Sequence, residues 1–91
     1  MRLRNRQVGG WQSVPINKDN TNVLLCALYH LEDLRIRSII EVRQQVVAGM
    51  NYEYIVIGSD DMMDQHDVRI KIRIFEQPWT NTIRIDSIEI L

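Results

Sequence analysis

Apolar and charged side chains alternate most clearly in the last third of the chain. Between Val68 and Ile74, β-branched residues occupy every second position and basic residues occupy the positions between them. This period of two predicts a strand with one buried face and one solvated face. The alternation resumes at Ile83 and changes phase after Asp86. A one-residue change of phase moves side chains to the opposite face, so it predicts a β-bulge near Asp86 and Ser87.

A helical spacing is present earlier, between Asp19 and Leu34, where apolar residues recur at intervals of three and four. The stripe predicts an amphipathic helix over this range. Asp19, Asn20 and Thr21 are the candidate caps for its start, and Lys18 is expected to lie outside it.

Three further strands are predicted. Trp11–Ile16 has the pattern of a short strand, and Pro15 restricts it to an edge or end position because proline donates no ladder hydrogen bond. After the helix, apolar runs at Ile39–Val42 and Tyr52–Ile57 predict strands, the second ending in a polar turn at residues 59–67.

One helix followed by strands joined through short loops favours an antiparallel meander, since parallel pairing requires longer crossovers. The predicted fold class is α+β, with the helix covering one face of a four- to five-stranded sheet. A chain of 91 residues that is 45% hydrophobic and 25% charged fits one small domain. Residues 1–10 are predicted to be a flexible arm that ends in Gly9-Gly10, and residues 11–91 to be the domain.

Charge and composition exclude several classes of function. A net charge of −1 indicates neither a nucleic-acid partner nor an anionic membrane partner. The single cysteine, Cys26, has no internal disulfide partner, and no export signal or membrane span is apparent. We therefore expect a soluble protein, cytoplasmic or secreted as a mature form. Cys26 and His30 imitate a thiol–imidazole pair, but a packed cysteine is the better interpretation, so no enzyme, metal site or cofactor is predicted.

Two turns of the predicted meander carry small or rigid uncharged residues. The first turn is Gln45–Gly49, and the second turn is Gln77–Thr80, which contains Pro78-Trp79. Alternate turns of a meander lie at the same end of the sheet, whereas the turn at 59–67 lies at the other end. If the first strand begins at the same end as these turns, Gly9 and Gly10 join them in one edge. Such an edge suits insertion into a cleft, because Gly49 permits close backbone approach and Trp79 offers a rigid contact.

The string Gln45-Val46-Val47-Ala48-Gly49, with Gly9-Gly10 before it and Pro78-Trp79 after it, resembles the inhibitory edge of the cystatins. The resemblance implies a five-stranded antiparallel sheet wrapped around one long helix. It also implies reversible, competitive inhibition of papain-like cysteine peptidases by occlusion of the active-site cleft. The residues implied to contact the peptidase are Val8, Gly9, Gly10, Gln45, Val46, Val47, Ala48, Gly49, Pro78 and Trp79. Gly49→Glu and Trp79→Ala are both expected to weaken inhibition without unfolding the domain.

The chain departs from each cystatin subgroup in some respect. Secreted cystatins with Pro-Trp in the second turn usually carry disulfides, and disulfide-free stefins generally lack Pro-Trp. Plant cystatins combine both traits, but their helix motif is not matched by residues 24–29. The subgroup therefore stays open. The alternatives are a non-inhibitory interaction module on this scaffold and a domain-swapped dimer in which the first turn opens as a hinge. A monomer is expected to be the active form.

Overall fold

A computed structural model describes residues 10–60 and 66–91. Within these ranges the elements are β1 (Gln12–Val14), α1 (Lys18–Ala27), β2 (Leu34–Val47), β3 (Gly49–Asp60), β4 (Val68–Gln77) and β5 (Thr82–Ile90). The strands form one antiparallel sheet in the order β1-β2-β3-β4-β5. The predicted α+β meander is therefore confirmed. Residues 1–9 of the predicted arm and residues 61–65 of the predicted polar turn lie outside the described residues.

The helix begins earlier and ends earlier than its apolar stripe predicts. Asn17 is the N-cap: its side chain accepts from the Asn20 amide at 2.8 Å, and the Asn20 side chain accepts from the Asn17 amide at 3.0 Å. This reciprocal capping box includes Lys18 in the helix, so the predicted caps at residues 19–21 were wrong.

The predicted range Asp19–Leu34 extends past the observed C-terminal end of the helix, because α1 ends at Ala27. No basic residue lies in the last turn of α1, and the acidic residues Glu32 and Asp33 follow the helix. Because the C-terminal end of a helix carries partial negative charge, carboxylates near it disfavour continuation of the helix. Leu34 fits both a helical spacing and the start of a strand, and it is used as the first residue of β2. Ten residues of helix span about 15 Å, so α1 covers only part of an elongated sheet.

The core lies between α1 and one face of the sheet, which we call the inner face. Its buried apolar side chains are Val23, Leu24, Leu28, Val42, Tyr54, Val56, Ile70, Ile72 and Ile74. Burial raises the pKa of the Tyr54 phenol, which donates a 2.7 Å hydrogen bond to the Asn20 carbonyl of the helix. The alternation predicted for Val68–Ile74 is confirmed, with Val68 partly buried at the end of the row.

Bulges bend the sheet at three points. Arg37 and Ile40 are extra residues on β2, and Asp86 is the extra residue on β5, where Arg73 pairs with Ser87 and Ile74 with Ile85. The bulge predicted near Asp86 and Ser87 is thus confirmed. Bulges increase local bend and twist, which allows long strands to curve around a short helix.

Candidate functional site

The first turn is strand almost to its tip. Val47 pairs with Gly49, so Ala48 alone separates β2 from β3. Further from the tip of the hairpin, Gln45 pairs with Asn51. The side-chain oxygen of Gln45 accepts a 3.0 Å hydrogen bond from the side-chain amide of Asn51. The predicted turn at Gln45–Gly49 is therefore the end of a narrow hairpin, whose cross-strand bonds hold its shape.

The second turn is held by its own side chains. Pro78–Thr80 form a single 3-10 turn that closes when the Asn81 amide donates to the Pro78 carbonyl at 3.0 Å. Asn81 adopts the left-handed region with φ 55°, which asparagine tolerates better than most residues. Thr80 donates to the side-chain oxygen of Gln77 at 2.8 Å, so the side chain at the start of this turn is also fixed.

A direct hydrogen bond connects the two turns. The Gln77 side-chain amide donates to the Ala48 carbonyl at 2.8 Å. Because Thr80 occupies the oxygen of the same amide group, Gln77 is fixed at both of its polar atoms. The two predicted turns therefore lie side by side at one end of the sheet, as the meander argument requires.

Gly49 has a structural role in this arrangement. Its φ of +124° lies in a region that L side chains rarely adopt, and a Cβ added there would lie 2.6 Å from the Glu76 carbonyl oxygen. We therefore expect Gly49→Glu to destabilise the domain as well as to disturb the first turn. Any side chain at this position collides with β4 before it meets a binding partner.

The remaining tip residues are available to a partner. Trp79 is 70% exposed and Val46 is 58% exposed, and Pro78 and Ala48 are exposed as well. Trp79 therefore does not cover the end of the core. Exposed apolar groups that form a contiguous surface are typical of interaction sites.

Of the predicted arm, the structure describes Gly10. It is exposed, and among the described residues, its chain neighbours aside, no heavy atom lies within 4 Å of the position that a Cβ would take there. Gln12 pairs with Gln44, so extending the β1–β2 register by two residues places Gly10 level with Val46. Gly10 thus belongs to the same end of the sheet as both turns, whereas Val8 and Gly9 lie outside the described residues.

The other chemical candidates are separate from these turns. Cys26 is exposed near the end of α1, and His30 lies beyond the helix, so the two do not share a helix face. The interpretation of Cys26 as a packed apolar residue was wrong. Across residues 10–60 and 66–91, no group of three His, Cys, Asp or Glu side chains is arranged to hold a metal ion. In the same part of the chain, no helix has the length and apolar character needed to cross a membrane.

Comparison with known proteins relates this geometry to a family. The chain is 28% identical over 100 residues to EPIC4, a cystatin-like cysteine protease inhibitor of Phytophthora infestans. The match covers 89% of this chain but only 58% of the relative, so the chain spans under two thirds of that protein's length. No family model matches the chain.

Solved structures agree with the fold. The salivary cystatin of the soft tick Ornithodoros moubata superposes with a TM-score of 0.71 at 21% identity, covering 91% of this chain and 97% of that one. Mialostatin, a gut cystatin of the hard tick Ixodes ricinus, superposes with a TM-score of 0.69 at 19% identity, covering 90% and 97%. This chain has the cystatin fold.

Sequence reasoning placed Gln77 in the second turn but did not identify it as a functional residue. A glutamine at the start of a turn, followed three residues later by threonine, is the signal that was available in the sequence. The signal was weak, because the partner of the Gln77 amide lies 29 residues away on another hairpin.

Proposed function

We propose that this cystatin domain is a reversible, tight-binding competitive inhibitor of papain-like cysteine peptidases, including papain and the cathepsins. The first and second turns, together with the segment from Val8 to Gly10, enter the active-site cleft on both sides of the catalytic cysteine. No scissile bond is offered to the nucleophile, so the peptidase is occluded and the inhibitor leaves intact.

The observation that carries the proposal is the Gln77–Ala48 hydrogen bond, which joins two hairpin ends into one edge. Neither turn contains a charged residue, so insertion into a cleft desolvates no formal charge on this edge. Both turns are already ordered, which reduces the entropy lost on binding. Inhibitor–protease complexes of this kind bury about 1,600 Å² in total.

The test is a titration of papain and of cathepsin L with the folded chain, with residual activity followed on a small peptide substrate. We expect competitive inhibition at nanomolar to low micromolar concentrations. The matched variant is Trp79→Ala, which is expected to inhibit less at equal concentration. A folded sample that leaves both peptidases fully active at micromolar concentration contradicts the proposal.

A domain-swapped dimer is the second candidate, favoured by the single residue that closes the first turn. Ala48 alone separates two long strands, and Gly49 holds a φ of +124° in the closed form. Continuous extension of β2 into β3 would remove that turn and with it the edge. Size-exclusion chromatography with activity measured across the peaks distinguishes the two forms, because inhibition is expected in the monomer peak alone.

A further inference from the structure

A cluster of four side chains lies on the face of the sheet opposite α1, which we call the outer face. We call it the outer cluster; it consists of Trp11, Arg43, Glu53 and Arg73. Arg43 and Arg73 are the direct cross-strand neighbours of Glu53 on β2 and β4. The Glu53 carboxylate accepts from Arg43 at 2.8 Å and from Arg73 at 2.8 Å, one oxygen for each guanidinium.

The Trp11 ring covers this ion pair network. Its centroid lies 5.1 Å from the guanidinium carbon of Arg73 and 5.8 Å from that of Arg43. Glu53 is only 3% exposed, although its strand face is the solvated one. A cation–π contact is favourable at an exposed site and stronger where water is excluded. The outer cluster thus attaches Trp11 to the three central strands rather than to β2 alone.

Trp11 lies between the predicted arm and the first strand. It directly follows Gly9-Gly10 and directly precedes β1, an edge strand of three residues. A strand this short makes few ladder bonds and frays easily at its end. Trp11 and Gln45 also line one polar groove on the outer face, so the ring lies next to the base of the first turn. The contacts of Trp11 with Arg43 and Arg73 therefore add to the β1 ladder in holding this end of the chain on the sheet.

We propose that Trp11 is a positioning residue for the N-terminal segment: its contact with the Arg43–Glu53–Arg73 network sets the point from which Val8 and Gly9 reach the peptidase. This inference rests on the proposed function. It assigns Trp11 no contact with the peptidase. The contribution of Val8 to binding then depends on Trp11. Without the contacts of Trp11 the start of the segment is not fixed, and the segment loses more conformational entropy when it docks.

A double-mutant cycle tests this coupling. Dissociation rates from papain are measured for the wild-type chain, Val8→Gly, Trp11→Ala and the double variant. We expect Val8→Gly to accelerate dissociation in the wild-type background. In the Trp11→Ala background the same substitution is expected to accelerate dissociation by a factor that is smaller by about threefold or more, since coupled sites depart from additivity. Trp11→Phe, which retains a ring over the arginines, is expected to preserve most of the coupling.

Thermal melts and two further variants separate positioning from folding. Gln12→Ala is the matched control, because Gln12 is the exposed residue next to Trp11 in sequence and lies outside the outer cluster. Trp11→Leu keeps apolar volume without a π face and replaces Trp11→Ala if the latter does not fold. If the wild-type chain inhibits papain and Val8→Gly accelerates dissociation equally in both backgrounds, this inference alone is overturned. Absence of inhibition by the wild-type chain overturns the proposed function and this inference together.

Discussion

The side chain of Gln77 donates a 2.8 Å hydrogen bond to the main-chain carbonyl of Ala48, which joins the tips of two hairpins that are separate in sequence. Main-chain carbonyls are present whatever residue occupies position 48. The bond therefore tolerates sequence change in the first turn but depends on the residue at position 77.

Gln77→Ala is expected to weaken peptidase inhibition by about two- to tenfold, the effect of losing one net hydrogen bond of about 0.5–1.5 kcal/mol. Gln77→Glu is expected to weaken it more, because a carboxylate oxygen would face the Ala48 carbonyl. Inhibition constants against papain check both, with Gln12→Ala as the control. Unchanged inhibition by Gln77→Glu would show that the two turns do not need this bond to act together.

Trp79→Ala is expected to weaken inhibition about 30-fold or more, the effect of removing a central aromatic contact of 2 kcal/mol or more. The melting temperature is expected to stay within about 2–4 °C of the wild-type value, the range of an ordinary surface substitution, because Trp79 is 70% exposed and belongs to no buried cluster among the described residues. Calorimetry and an inhibition assay on the same sample check the two expectations. A large loss of stability would indicate that Trp79 packs against the domain.

Gly49→Ala is expected to destabilise the domain by about 1–3 kcal/mol, since alanine at a φ of +124° is strained and its Cβ meets the Glu76 carbonyl. Gly10→Ala is the matched control, because that position has open space around it. Urea unfolding of the two variants gives the comparison. Equal free energies of unfolding would contradict the close approach of Gly49 to β4.

Glu53→Gln is expected to lower stability at neutral pH and to reduce the loss of stability in acid. Burial raises the pKa of the Glu53 carboxyl, but hydrogen bonding and charge from Arg73, then the charges of Arg43 and Lys71, outweigh burial and hold the pKa below its usual value. A lowered folded-state pKa contributes stability that is complete above the unfolded value of about 4.3 and is lost as the pH falls through the folded value.

The measurement for Glu53 is the free energy of urea unfolding from pH 7 down to pH 3. The wild-type chain is expected to lose stability more steeply than Glu53→Gln below about pH 4.3. Glu89→Gln is the matched control, because Glu89 is 59% exposed and its ion pair with Lys71 is long at 3.5 Å. Parallel curves for the wild-type chain and Glu53→Gln would exclude Glu53 as a source of acid sensitivity.

The order of elements, the antiparallel meander and the inner face of β4 were predictable because they depend on local periodicity. Alternation between Val68 and Ile74 specifies which side chains are buried, and short connections exclude parallel pairing. The change of phase at Asp86 likewise located a bulge. Even the common end of the two turns followed, since it depends on the number of strands between them.

Only the tertiary structure decided the features that depend on contacts between residues far apart in sequence. Leu34 fits two periods, and its pairing with Asp60 assigned it to a strand rather than to the helix. Gly49 is required because β4 lies against it, and Gln77 acts because the other hairpin presents a carbonyl. Local patterns determine the faces and the order of the strands; the contacts between strands determine which residues at their ends hold the edge together.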